Sequence, residues 1–533
     1  MENNKRFFRI NSEYVYDSVT NNLGNISDDV IERINTNKSS KNLKGKEKEV
    51  FNLLKNAKET EVLSKKNSDE TFVTICYSNR CNLNCTYCYR NKQNNTKELK
   101  NEDFERIADY VINQYNPNSK VYVFSLGLSS EPMLEIEKIQ NFQNVLSKYD
   151  GSLFSESDFL GISPKEVFDN LPVKIKDKYI NNNDYIKSIN SVLKTERLAQ
   201  IYNIKPGCIY KGFNSLLENE YLCQSKLAFL NRKILEYVYG EKIKRNESKY
   251  FAISFFSNGT LIDEEKAQII KGLDINEMHI SLDGDEEINN SSRRYYDGTG
   301  SYRDVIKGIK NLQKYGIKII ISTVITPEYP SITRIIQNLR MLHLDQIKFN
   351  ILREENGYSF TKDKLQELLK DFDALCELMI EEFKNDNFEL LHLLRDSLLI
   401  NPIMNIVFKN KYIHRCNWGE NLVIDSEGNM YPCLYTMGNK TYSYGNYKEG
   451  KKFSQIYKPI LVSDKKTCKL CWARYLCGGS CHYAGLASKN SPYETDEIEC
   501  MYRKGLIKCS LKMMTELINH GLLKTVIQHL IKE

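Results

Sequence analysis

The segment Cys81-Asn-Leu-Asn-Cys85-Thr-Tyr-Cys88 constrains this chain more than any other stretch, because it places three thiols on one short loop just after the apolar run Thr71-Phe-Val-Thr-Ile75. That run is β-branched and reads as a buried strand, so the C-x3-C-x2-C loop leaves a strand end. With 15 Cys in 533 residues, a triple of this spacing arises by chance in on the order of one such chain in a hundred. Three thiolates suit a [4Fe-4S] cube, holding three irons and leaving the fourth without a protein ligand. A zinc knuckle is the other reading, but zinc sites use four ligands, commonly in C-x2-C pairs, and no fourth Cys or His follows nearby. Cys76, at the end of the strand, reads as a small buried residue.

Further strands follow, each running into polar or glycine residues. Val121-Tyr-Val-Phe-Ser125 leads into Gly127-Leu-Ser-Ser-Glu131-Pro132 and an amphipathic helix from about Met133 to Leu146. Phe251-Ala-Ile-Ser-Phe-Phe256 leads into Ser257-Asn258-Gly259-Thr260, and Met278-His-Ile-Ser281-Leu282 into Asp283-Gly284. Strands at Ile319 to Ile325 and Gln346 to Leu352, with helices at about 302 to 315 and 331 to 343, complete six β/α units. Polar residues at the C-terminal ends of successive parallel strands are where such a fold builds its site. Taken singly, each reads equally as a turn residue or helix cap. Glu131 before Pro132 reads equally as a charge favoured at a helix start. The stretch 133–250 exceeds an ordinary crossover of roughly 30 to 40 residues. Its excess, about 151–248, is an insertion that reads as a lid, a docking element or an ornament, with Cys208 and Cys223 structural.

The cysteine triple with Tyr87 before its last member resembles the C-x3-C-x-aromatic-C signature of radical S-adenosylmethionine (radical SAM) enzymes. In that family the amino and carboxylate groups of SAM chelate the open iron, and one electron cleaves SAM to methionine and a 5'-deoxyadenosyl radical. The resemblance implies an α/β fold, an open partial (β/α)6 barrel, with Tyr87 beside the adenine. The family's Gly-Gly-Glu-Pro is Ser129-Ser130-Glu131-Pro132 here; the glycine pair is lost while acid and proline remain. By resemblance Glu131 takes the SAM ammonium, with a weaker contact from Ser130, while Ser257, Asn258, Ser281 and Asp283 line the SAM ribose and the substrate. Arg293, followed by Asp297-Gly-Thr-Gly-Ser301-Tyr, matches a pattern in which an arginine approaches the SAM carboxylate, and Arg294 stands beside it.

A second cysteine system comprises Cys416, Cys433, the block Cys468-x2-Cys471-x5-Cys477-x3-Cys481, and Cys500. Asn421-Leu-Val-Ile-Asp425, a turn through Gly428, and Met430-Tyr-Pro-Cys433 read as a β-hairpin ending at Cys433. A zinc ribbon is a rival by spacing alone. All seven positions together resemble the SPASM domain, which in some radical SAM enzymes carries auxiliary [4Fe-4S] clusters. That resemblance implies Cys416, Cys433 and Cys481 on a first auxiliary cluster and Cys468, Cys471, Cys477 and Cys500 on a second. The first set has three ligands, an arrangement that would admit a substrate thiolate at an open iron. Cys376 sits in the apolar helical context Leu375-Cys-Glu-Leu-Met and reads as core, and Cys509 has no assigned role.

The first seventy residues differ in character. Arg6 to Ile10 and Glu13 to Asp17 read as strands, Asn21-Asn-Leu-Gly24 as a turn, and 28–35 and 47–58 as helices. This resembles the small winged-helix-like module by which peptide maturases hold a precursor's leader as an added strand. The expected domains are 1–68, the leader-recognition module; 69–355, the barrel with its insertion; 356–410, a helical linker; 411–512, the SPASM domain; and 513–533, a C-terminal helix. No apolar run approaches the roughly 18 residues of a membrane span and no signal-peptide core is visible, so the chain reads as cytoplasmic. Many cysteines in a reducing compartment favour metal ligation over disulfides, and exposed clusters fit an anaerobe. The formal charge of +6 is dispersed and gives no support for nucleic acid.

The implied activity is that of a radical SAM/SPASM peptide maturase. Its partners would be a ribosomally synthesised, Cys-containing precursor peptide and an electron donor such as flavodoxin or ferredoxin. A thioether cross-link is the leading outcome and a carbon–carbon link the next. Alternatives are peptide epimerisation, formylglycine formation as in anaerobic sulfatase maturases, whose usual base Asp is replaced here by Leu434, and a zinc-binding adaptor.

Overall fold

The computed structural model describes residues 6–57, 70–88, 97–119, 121–149, 250–273, 275–354, 357–416, 418–456 and 458–532. The insertion expected over 151–248, with Cys208 and Cys223, lies outside them.

At the N-terminus β1 (Phe7–Arg9), β2 (Val15–Asp17) and β3 (Asn22–Gly24) form an antiparallel sheet in that order. The stretch read from sequence as a turn is therefore largely a third strand. The reversal is compressed just ahead of it, with Asn21 at φ 51°, a conformation asparagine tolerates. Helices Asp28–Asn35 and Gly45–Asn56 follow. They close a small core of Phe7, Val15, Val30, Phe51 and Leu54.

The central sheet runs β4 (Glu70–Ile75), β5 (Val121–Leu126), β6 (Tyr250–Ser257), β7 (Ile275–Ser281), β8 (Ile319–Ile325) and β9 (Gln346–Ile351), all neighbours parallel. Alternate residues decide its faces. Phe251, Ile253 and Phe255 of β6, Met278 and Ile280 of β7, and Ile319, Ile321 and Ile325 of β8 join one core with the helix residues Val305, Ile309, Leu312, Ile335 and Leu339. After the two-residue strands β10 (Arg353–Glu354) and β11 (Gly357–Tyr358) come β12 (Asn421–Ile424) and β13 (Met430–Tyr431), the expected hairpin. β12 does more than pair with β13. It lies parallel to β4, and the Cys76 N–H donates to the Ile424 carbonyl at 2.8 Å. The order β13-β12-β4-β5-β6-β7-β8-β9 is an open sheet, as a partial barrel requires.

Helix Lys362–Lys384 packs along helix Glu497–Asn519, and Leu523–Lys532 closes the chain. The C-terminal helix thus begins well before residue 513, because the Asp496 carboxylate accepts the Glu499 N–H and caps it. Among the described residues no helix is long and apolar enough to cross a membrane.

Candidate functional site

The Cys81–Cys88 loop is clamped between two strand-end segments. Asn84 and Thr86 N–H groups donate to the carbonyls of Arg294 and Ser292 at 2.7 and 3.0 Å, and Glu131 N–H donates to the Arg80 carbonyl at 2.8 Å. Ser129 Oγ adds a bond to the Ser78 carbonyl at 2.8 Å. One of the serines replacing the family's glycine pair therefore ties down the loop. The positive φ of this segment falls at Gly127, at 85°. A Cβ there would meet the Phe256 carbonyl oxygen at 2.1 Å, so only glycine fits. Around the thiols, Leu83 N–H and Asn258 Nδ2 donate to Cys81 Sγ at 3.4 and 3.7 Å. Burial pushes the Cys85 thiol up to about 11, with Arg293 opposing and the charges of Cys88 and Cys81 adding. The three thiols thus lie within electrostatic reach of one another.

Glu131 is buried, with Ser257 Oγ donating to Oε1 at 2.8 Å, Met133 N–H to Oε1 at 3.1 Å and Asn258 N–H to Oε2 at 2.7 Å. These donors favour the carboxylate, yet burial outweighs them and raises its pKa to about 7. Ser130 Oγ lies buried beside the Tyr77 hydroxyl.

Asp283 organises a second group. Its Oδ2 accepts Arg293 Nε at 2.8 Å and also the Tyr87 hydroxyl, while its Oδ1 accepts Val324 N–H at 2.9 Å. The Arg293 guanidinium lies 5.4 Å from the Tyr87 ring centroid, a cation–π distance. Burial works against the Arg293 charge, but Asp283, Tyr87 and Cys85 more than restore it. Of the two adjacent arginines, Arg293 is buried in the site, whereas Arg294 is exposed and bonds the Asn290 carbonyl. Ser281 ends β7 opposite Ser322 and joins neither group.

Sequence reasoning passed over several residues here. Asn82 bonds Asn258 and Thr260 at 2.9 and 2.8 Å, and Asn289 Oδ1 accepts the Asp283 N–H at 3.3 Å. On β7 His279, stacked on Phe256, reaches Glu277 Oε2 at 2.8 Å and Ser322 Oγ at 3.3 Å. Its place two residues before Ser281 was the available signal.

In the C-terminal segment the cysteines fall into two sets. Desolvation, then Cys416 and Cys481, raises the Cys433 thiol above its ordinary range. Burial likewise pushes Cys500 up to about 12, with Cys477 and Cys468 contributing, and Cys468 to about 11, with Cys477 and Cys471 contributing. Gly478 and Gly479 at φ 70° and 89° turn the chain between Cys477 and Cys481. Cys376 lies instead beside Cys509 in the core between the long helices. Among the described residues every cysteine is a free thiol, and no three His, Cys, Asp or Glu close around a single metal ion. A cavity of about 220 Å³ opens at β9, with Lys348, Arg353, Asp396, Arg415, Glu499 and Arg503 in its wall.

Residues 226–336 match the radical SAM superfamily. A cysteine-type anaerobic sulfatase-maturating enzyme of Clostridium novyi is 27% identical over 293 residues, covering 51% of this chain and 74% of that one. An uncharacterised protein of Synechocystis is 26% identical over 295 residues, covering 50% and 69%. The solved structure of anSMEcpe with bound AdoMet superposes with a TM-score of 0.54 at 18% identity, covering 85% of this chain and 99% of that one. The same protein with bound AdoMet and Cp18Cys peptide gives a TM-score of 0.52 at 18% identity, covering 85% and 99%. These structural likenesses are of fold.

Proposed function

We propose that this chain, a radical SAM enzyme related to the anaerobic sulfatase maturases, modifies a ribosomally made precursor peptide by joining a peptide cysteine sulfur to a nearby carbon. Cys81, Cys85 and Cys88 would hold the SAM-binding [4Fe-4S] cluster, which when bound supplies the electron that splits SAM to methionine and a 5'-deoxyadenosyl radical. Glu131 would receive the SAM ammonium. With Nε committed to Asp283, Arg293 would offer its remaining N–H groups to the SAM carboxylate. Asp283 holds that guanidinium in place and charged. Ser257 and Asn258 fix Glu131, and Asn258 also donates to the Cys81 sulfur. Ser130, Ser281 and Tyr87 complete the proposed SAM surroundings. Cys416, Cys433 and Cys481 would hold a first auxiliary cluster, and Cys468, Cys471, Cys477 and Cys500 a second. The cavity beside β9, with four cationic and two acidic side chains in its wall, would suit a peptide bearing carboxylates, and flavodoxin or ferredoxin is the proposed electron donor.

The observation that carries a peptide substrate is the seat of the N-terminal sheet. Phe8 stacks on Trp472 at 3.9 Å, next to Cys471, and Asn21 Nδ2 donates to the carbonyls of Asn405 and Asn410 at 2.9 and 2.7 Å. A sheet able to take an added strand is thus fastened to the cysteine-bearing segment. The reported AdoMet and peptide complex of anSMEcpe is compatible with this reading. Formylglycine formation is the second reading, favoured by the maturase similarity and opposed by Leu434 after Cys433.

The test is anaerobic incubation of reconstituted enzyme with SAM, reductant and the short peptide encoded beside its gene. Release of 5'-deoxyadenosine with loss of two hydrogens from the peptide is expected. Deuterium gained from solvent water at unchanged chemistry would replace this reading with epimerisation, and conversion of the cysteine to an aldehyde would replace it with maturase activity. Cys85→Ala should abolish every product.

A further inference from the structure

The C-terminal segment buries a lysine that, among the described residues, no carboxylate pairs with. Lys465 is 1% exposed and the one charged residue among the largest fully buried side chains. Its ammonium donates to Ser480 Oγ at 3.2 Å and to the Glu494 carbonyl at 3.3 Å, both neutral acceptors. Among the described residues it forms no ion pair. The nearby acids are committed elsewhere: Glu499 accepts Arg503 and the Cys481 N–H, Asp496 caps the Glu499 N–H, and Asp464 accepts the Leu461 N–H.

An ammonium removed from water either gives up its proton or is held charged by an opposite charge in contact, and two cysteine sets stand beside this one. The two acceptors show where. Ser480 precedes Cys481 of the first set, and its own N–H bonds the Cys468 thiol of the second. Glu494 precedes Thr495, whose side chain bonds the Cys500 thiol. Burial lowers the Lys465 pKa, and the groups that work against it are Cys468, Cys416, Cys481 and Cys500, two from each set. A cluster held by thiolates carries net negative charge and gains more on reduction, so a fixed cation beside it favours the reduced form.

We propose that Lys465 is a positioning residue shared by both auxiliary cysteine sets, a single buried cation that stabilises the two clusters together and raises the reduction potential of each. This rests on the assignment of auxiliary clusters made above, but is separable from it by experiment.

The test is an EPR-monitored redox titration of the anaerobically reconstituted full chain, with iron and sulfide counted in each preparation. Wild type holding about four irons instead of about twelve would remove the cluster assignment itself and leave nothing for Lys465 to serve. With full iron, Lys465→Met is expected to shift both auxiliary potentials to more negative values, and Lys465→Arg to keep both near wild type. A shift in only one cluster, or in neither, overturns the proposal. Where Lys465→Met fails to hold auxiliary iron, Lys465→Arg decides. Retention of iron and potentials by arginine supports a requirement for charge, and loss by arginine as well assigns the residue to packing and overturns it.

Discussion

At the residue scale the site turns on two carboxylates with opposite fates. Glu131 is buried without a cation, and its pKa stands raised from 4.5 to about 7. Between those values the folded chain keeps a proton that the unfolded chain has released. Its contribution to stability is therefore full below about 4.5 and lost as pH rises through about 7, and Glu131→Gln should flatten the dependence of Tm on pH over that range. The ammonium of SAM would need the ionised form, so SAM affinity should tighten about tenfold from pH 6 to pH 8, and equilibrium binding to Glu131→Gln should lose most of that slope. A flat wild-type profile would remove Glu131 from the SAM contact. Asp283 instead meets the buried Arg293 directly. Asp283→Asn should cost about 3–5 kcal/mol, because an uncompensated buried charge remains, read as a fall in the denaturant midpoint at unchanged slope. Both acids were legible in the sequence as polar residues ending strands. Their partners were not, since Tyr87 and Asp283 are separated by 196 positions and local patterns do not encode which distant side chains meet.

At the element scale the legible parts are those with a clear local pattern. The six central strands follow from short apolar, β-branched runs, and the helices at 302–314 and 332–340 from a buried stripe. What the pattern omits is pairing across the chain. The hairpin at 421–433 is visible by its turn, whereas its addition to β4 depends on Val423 packing against Cys76 and Tyr431, a contact between remote segments. The loop before Pro132 shows how a lost motif is compensated, as Ser129 bonds Ser78 while Gly127 alone carries the strained backbone. Gly127→Ala should therefore destabilise the fold by on the order of 2 kcal/mol or more, through positive φ and collision with the β6 end. Ser129→Ala, which removes one buried hydrogen bond, should cost about 1 kcal/mol. Chemical denaturation of both variants checks the order, and Ser129→Ala exceeding Gly127→Ala would contradict it.

At the scale of the whole molecule, three sets of cysteines imply a defined inventory. Reconstituted protein should hold about 12 irons and about 12 sulfides, and Cys85→Ala or Cys500→Ala about eight of each; stoichiometric zinc without labile sulfide would contradict all three sets. The N-terminal sheet is tied to this inventory through Trp472, which receives Phe8 face-on and Tyr16 edge-on at 6.4 Å. Removing the indole strips the sheet of both ring contacts with the segment bearing Cys471, a loss of about 3–5 kcal/mol in a well-packed site. That cost should fall first on docking, because Tyr16 and Trp472 share the large core with β5 to β8 whereas Phe7, Val15 and Val30 close a small core of their own. Hydrogen exchange in Trp472→Ala should accordingly speed at β1–β3 amides and stay unchanged at β5–β8. Equal acceleration in both would mean that the sheet and barrel open as one unit, and the sheet would then have no independent freedom with which to accept a peptide strand.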